Sequence, residues 1–294
     1  MKGSLALWIV GLVCCAVLPV YAVDVVCTTT IVGDVVHQIA GEDAQVNVLL
    51  PPDTDPHDFE PRPQDVVALH EADVIFINGL DLEAGLDPLL RSIDTPVVSL
   101  SEDIEGLLPV DDSDHSAYDP HVWFDPTLIM EWIPRIADQL SQLLPALQQT
   151  FHDRAAAYLQ ELSDLDAWIQ ASVDSIPSDR RKLVTDHRVL GYFARRYGFE
   201  QVGTVIPGYS SLAEPSARDL AALESAIETL SVPAVFVGNT VNPSLSTQVS
   251  ADTDTKLVFF YTGSLSALDG PAATYIDFMR YNTTVIVGAL EDSP

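Results

Sequence analysis

The stretch Leu147-Gln-Gln-Thr-Phe-His-Asp-Arg-Ala-Ala-Ala-Tyr-Leu-Gln-Glu-Leu-Ser-Asp-Leu-Asp-Ala-Trp-Ile-Gln-Ala-Ser-Val-Asp-Ser-Ile176 decides how the rest of the chain is read. Phe151, Ala155, Tyr158, Leu162, Leu165, Ile169 and Val173 recur at helical spacing, so one face of a single long helix is apolar. Pro145 and Pro177 bracket it. On both sides the periodicity is different: short β-rich runs alternate with helical segments. Before the helix, Val23 to Thr29, Val46 to Leu50, Val74 to Asn78 and Val97 to Leu100 read as strands, with helices over Asp34 to Ala40 and Gln64 to Glu71. After it, Lys182 to Thr185, Gln201 to Val205, Ala234 to Val237 and Lys256 to Tyr261 read as strands. Helices are expected near Val189 to Tyr197, Pro215 to Leu230 and Thr274 to Leu290. Such alternation implies mainly parallel sheets covered by helices. The expected fold is therefore α/β with two lobes, 23–145 and 177–294, each a mainly parallel sheet flanked by helices, joined by one long linking helix over 146–176.

The first 22 residues stand apart. Met1 and Lys2 precede an apolar run from Leu5 to Val20, and Val20-Tyr21-Ala22 offers small residues where a signal peptidase cuts. Residues 1–22 are accordingly expected to be a signal peptide. Pro19 and this exit disfavour a retained anchor, and Cys14 before Cys15 is a poor lipid-attachment match, so lipid anchoring is the less favoured reading. Of three cysteines only Cys27 follows the leader, which excludes an internal disulfide and a clustered thiolate site in the mature chain. The 43 acidic and 14 basic residues give a formal charge of -29, which argues against nucleic acid or an anionic membrane surface as partner and suits a cationic ligand.

In open parallel sheets ligands bind beyond the carboxyl ends of strands. Three of the seven histidines fall in such places: His57 in Pro56-His57-Asp58-Phe59-Glu60-Pro61, His121 in Asp119-Pro120-His121-Val122-Trp123-Phe124-Asp125-Pro126, and His187 in Thr185-Asp186-His187-Arg188. Each lies beside an aspartate able to orient an imidazole. His37 and His70 in helices, His115 in the acidic 101–120 loop and His152 at the start of the long helix suit solvent-facing roles.

These stretches, with Gly191-Tyr192-Phe193, Glu214-Pro215-Ser216-Ala217, Asn239-Thr240-Val241-Asn242-Pro243-Ser244 and Met279-Arg280-Tyr281-Asn282, resemble in order the motifs of the zinc/manganese-binding solute receptors of bacterial ABC importers. The resemblance runs from about Asp24 to Leu290. It implies a metal held between the lobes by His57, His121 and His187 and usually a carboxylate, with a membrane permease as partner; a monomer is expected, and the leader points to a periplasmic or otherwise extracytoplasmic location. It implies no catalysis. Many relatives carry their aspartate ligand where this chain has Gly263. Asp269, six residues on, is the candidate replacement, with Glu60, Glu214 or a water molecule as alternatives. Three imidazoles favour zinc, with manganese second. Because a ligating histidine must be neutral, affinity is expected to fall below pH ~6.5. A zinc hydrolase using the same histidines and a metal-binding surface adhesin are the rival readings. The first lacks a His-Glu-x-x-His helix, a nucleophile elbow and a phosphate loop.

Overall fold

The computed structural model describes residues 23–110 and 117–291; the expected signal peptide, Cys14, Cys15 and His115 lie outside them. Before the long helix the order is β1 (Val23–Cys27), α1 (Thr30–Ala40), β2 (Ala44–Val48), α2 (Pro63–Glu71), β3 (Val74–Ile77), α3 (Asp87–Leu90) and β4 (Val97–Ser99). Helices α4 (Pro126–Met130), α5 (Trp132–Leu143) and α6 (Gln148–Val173) follow. The order then repeats as β5 (Lys182–Thr185), α7 (Gly191–Tyr197), β6 (Glu200–Thr204), α8 (Ala217–Leu230), β7 (Ala234–Gly238), α9 (Ser244–Asp252), β8 (Lys256–Phe260) and α10 (Tyr275–Glu291). The strands form two four-stranded sheets, ordered β2-β1-β3-β4 and β6-β5-β7-β8, and every pairing is parallel. In both sheets the strand order reverses beside the first strand, which leaves a crevice at the carboxyl ends.

Local chemistry sets several boundaries. Strand β1 stops two residues short of the expected Thr29 because the Thr29 side chain accepts the Val32 N–H (3.2 Å) and caps α1, which thus starts four residues before the expected Asp34. The β-branched pair Ile31-Val32 hides this start. Its apolar face, Ile31, Val32, Val35, Val36 and Ile39, is wholly buried, and the helix ends at Gly41 with φ 57°. Ser216 and Asp219 form a capping box at α8. Helix α9 was not expected, because its buried positions Ser246, Val249 and Ser250 make no apolar stripe.

All seven apolar residues expected on the long helix are buried in α6. That face is the spine of one continuous core reaching from Val25 and Phe76 of the first sheet, through Trp132 and Phe151, to Phe236, Tyr275 and Phe278 on the other side. Smaller clusters sit under the outer face of each sheet, around Leu69 and Ile75 in one and Leu223 and Val235 in the other. A core shared this way resists a wide hinge, because separating the sheets would expose it. Cys27 lies fully buried within it, and burial pushes its thiol up. Among the described residues no helix is long and apolar enough to cross a membrane.

Candidate metal centre

Each histidine is aimed by an aspartate close to it in sequence. Asp55 caps a single 3-10 turn, Pro56–Asp58, and accepts the His57 N–H (3.0 Å). Asp119 Oδ1 accepts both the backbone N–H (3.0 Å) and the ring Nδ1–H (2.7 Å) of His121. Asp186 Oδ1 does the same for His187, at 2.5 Å to each, and its other oxygen accepts the Gly238 N–H of the neighbouring strand. With Nδ1–H donated to a carboxylate, the free lone pair of His121 and of His187 sits on Nε2.

The three rings converge from loops on different strands. His57 and His121 belong to the first half and His187 follows β5, yet one ring nitrogen from each lies within 4.8 Å of the others. Their centroids are 5.2 to 5.7 Å apart, and His57 Nε2 is 3.1 Å from His121 Nε2. Two imidazoles bound tetrahedrally at ~2.0–2.1 Å would hold their nitrogens ~3.4 Å apart, so the spacing fits a shared ion. His121 and His187 are 1% and 3% exposed; His57 is partly open.

Burial, with the neighbouring His121 and His187, pushes His57 down to about 3, and burial likewise holds His121 well below the usual imidazole value. His187 differs: burial is the largest single influence and pulls it down, but the carboxylates around it, Asp186 first with Asp55 and Asp119, together raise it. Two of the three ligands are therefore neutral at any mildly acidic pH, and the His187 proton is the one a metal must displace. Metal affinity should fall as pH drops, with an onset above the ordinary ~6.5 and a slope of about one proton per ion, not three. Calorimetric titration from pH 8 to 5 reads the slope; a three-proton dependence would contradict the assignment.

The candidate fourth ligands are elsewhere. Asp269 is exposed in a turn closed by Gly270 N–H to Ala267 O (2.8 Å) and Ser266 N–H to Ala272 O (2.9 Å), and it is not in the donor group. The turn leaves Asp269 exposed, so this arrangement does not bring it to the histidines as the sequence expectation had it. Glu60 and Glu214 are also exposed and outside the group. At Gly263 a Cβ would stand 2.6 Å from Pro56 Cδ and 3.0 Å from its Cγ, so the ring beside His57 occupies that space. Gly263→Ala should push Pro56, and His57 with it, and weaken metal binding by roughly tenfold. An unchanged affinity in competition titrations would show that the loop yields freely.

Several positioning residues were invisible in the sequence. The His57 loop is tied mostly to the opposite half: Asp53 N–H to Ser264 Oγ (2.9 Å), Asn239 Nδ2–H to Asp53 Oδ1 (2.7 Å) and Ser211 Oγ–H to Asp55 Oδ2. Trp123 Nε1–H donates to Thr262 O (3.0 Å) and Tyr192 O–H to Asp119 O (2.7 Å), across the same divide. Asn78 Nδ2–H reaches Pro120 O (3.1 Å), next to His121. Only the Asx-type turn Asp55-Pro56-His57 carried a local signal.

Comparison with known proteins gives the family and the fold. Residues 25–289 match the family model of the zinc-uptake complex component A, periplasmic. The chain is 36% identical over 268 residues to the manganese-binding lipoprotein MntA of Halalkalibacterium halodurans, covering 90% of this chain and 88% of that one. It is 30% identical to the iron-binding protein YfeA of Yersinia pestis, covering 89% and 84%. The periplasmic zinc-binding protein TroA of Treponema pallidum superposes with a TM-score of 0.86 at 30% identity, covering 92% of this chain and 99% of that one. With a family match over nearly all the described residues, the same two-sheet fold and a three-histidine cluster between the sheets, the chain belongs to the family of the periplasmic component A of zinc-uptake complexes.

Proposed function

We propose that this chain is the extracytoplasmic receptor of an ABC importer, capturing a divalent transition metal between lobes 23–145 and 177–294 and presenting it to a membrane permease. The observation that carries the reading is the convergence of His57, His121 and His187 from both halves, each ring nitrogen within reach of one ion. The proposed ligands are these three. The metal is cargo, and the protein is not an enzyme.

An all-nitrogen donor group with no carboxylate in it favours zinc over manganese, since oxygen donors are what manganese prefers. The relatives are named for manganese, iron and zinc, so kinship does not choose among them. The formal charge of -29 supports a cation and no nucleic acid as ligand, and we take the working form to be a monomer. An exported location follows from the leader. The earlier preference against lipid anchoring is not kept, because relatives such as MntA are named lipoproteins.

The test is metal stoichiometry on the mature chain from Val23, purified metal-free. One zinc per chain, bound more tightly than manganese, is the expected result; no tight binding of either would end the reading.

A further inference from the structure

The three histidines are not held alike. The ring Nδ1–H of His121 is fixed on Asp119 and that of His187 on Asp186, and both carboxylates are fully buried. Among the described residues no carboxylate accepts from the His57 ring; Asp55 takes only its backbone N–H (3.0 Å). The His57 ring is also the one partly open to solvent. Its place is therefore set by the loop that carries it.

That loop is shaped from the opposite half. Leu50 N–H still donates to Thr28 O (3.1 Å) at the end of β1. From there to Pro56, every hydrogen bond among the described residues that leaves the loop crosses to the second half. Three successive loops of the second sheet each supply one side chain. Ser211, after β6, donates to Asp55 Oδ2; Asn239, after β7, donates to Asp53 Oδ1 (2.7 Å); Ser264, after β8, accepts Asp53 N–H (2.9 Å). Asp53 has φ 60°, in the left-handed region, and these ties keep it there. Asn239 is itself oriented: its Oδ1 accepts Thr262 N–H (3.1 Å), which leaves its Nδ2 for Asp53.

We infer that Asn239 and Ser211 are positioning residues that set how fast the metal leaves. His121 and His187 form a fixed platform of two nitrogens, and the ion is released when the loop over 51–57 lifts His57 away while both sheets stay in place. The core shared by the sheets favours such a local motion, because lifting one loop exposes far less apolar surface than parting the halves. Each lost tie makes the loop easier to lift and so speeds release. The inference rests on the metal-receptor reading above.

The experiment mixes zinc-loaded mature protein with an excess of a chromophoric chelator and reads the release rate where it no longer depends on chelator concentration. Ser211→Ala removes a hydrogen bond to a carboxylate and should speed release roughly tenfold. Asn239→Asp keeps the acceptor for Thr262 N–H but sets a carboxylate against Asp53, so it should speed release by at least about as much. Adding Asp53→Asn to Asn239→Asp restores the bond with donor and acceptor exchanged, and asparagine tolerates the left-handed backbone. The rate should then return to within about threefold of native. General damage at Asn239 would not be mended by a change at Asp53. A rate within about twofold of native in Ser211→Ala or in Asn239→Asp, or no recovery in the double variant, would overturn the proposal. A native protein that takes up no zinc would instead overturn the metal reading beneath it.

Discussion

Replacing His121 with alanine should lower zinc affinity by about 10²–10³-fold. Four-ligand zinc sites bind with ~10–16 kcal/mol, so one ligand is worth roughly 2.5–4 kcal/mol, and among the described residues the group holds three. His121 is also the ring most completely enclosed, at 1% exposure, so no water easily takes its place. The substitution strands Asp119, which is fully buried and whose carboxyl burial already pushes up to about 7. That residue should take up a proton in the variant, which limits the damage to the fold. His121→Asn, a smaller polar replacement, separates the two effects: both variants should lose metal, while the thermal midpoint of the metal-free asparagine form should stay nearer the native one. Competition titration reads the affinity. An His121→Ala protein that still bound zinc within tenfold of native would remove His121 from the site.

Trp132→Ala is expected to cause the largest loss of stability, about 3–5 kcal/mol. Trp132 is fully buried at the start of α5, in the core that both sheets share. Its Nε1–H donates to Ser101 Oγ (3.2 Å), and Ser101 N–H in turn donates to Asn78 O (3.0 Å), so the alanine leaves a cavity and a buried hydroxyl short of a donor. Against a total stability of ~5–15 kcal/mol this is a large fraction. At ~2–4 °C per kcal/mol the midpoint of the metal-free protein should fall by roughly 10 °C. Because the core is continuous, the fall should appear as one shifted transition. Two separated transitions in calorimetry would show that the halves unfold independently and that α6 does not join them energetically.

The sequence alone was enough for the α/β class, the eight strands and the long helix with its seven buried positions, whereas position made His57, His121 and His187 candidates that only the family resemblance singled out. These are local signals: a period of 3.6 or 2, a proline or glycine stop, a loop at a strand's carboxyl end. Each is written within ten or so residues of itself, and the Asp119–His121 and Asp186–His187 pairs are likewise adjacent in the chain.

What only the tertiary structure decided are the relations between distant segments. That Pro56 fills the space at Gly263, that Asp55 meets Ser211 and Asp53 meets Asn239, and that Asp269 faces solvent all depend on how two sheets close on one core. Sequence separations of 156 and 186 residues carry no periodicity to read. Glu83 illustrates the point: an ordinary acid in the sequence, it is buried to hold the turn at Gly79, because three donors from Thr28, Asn78 and Gly79 converge on it. The histidines were candidates from their loops, but their meeting within 4.8 Å is a consequence of packing. Local propensity determines elements; which faces meet is settled by the burial of apolar surface shared among all of them.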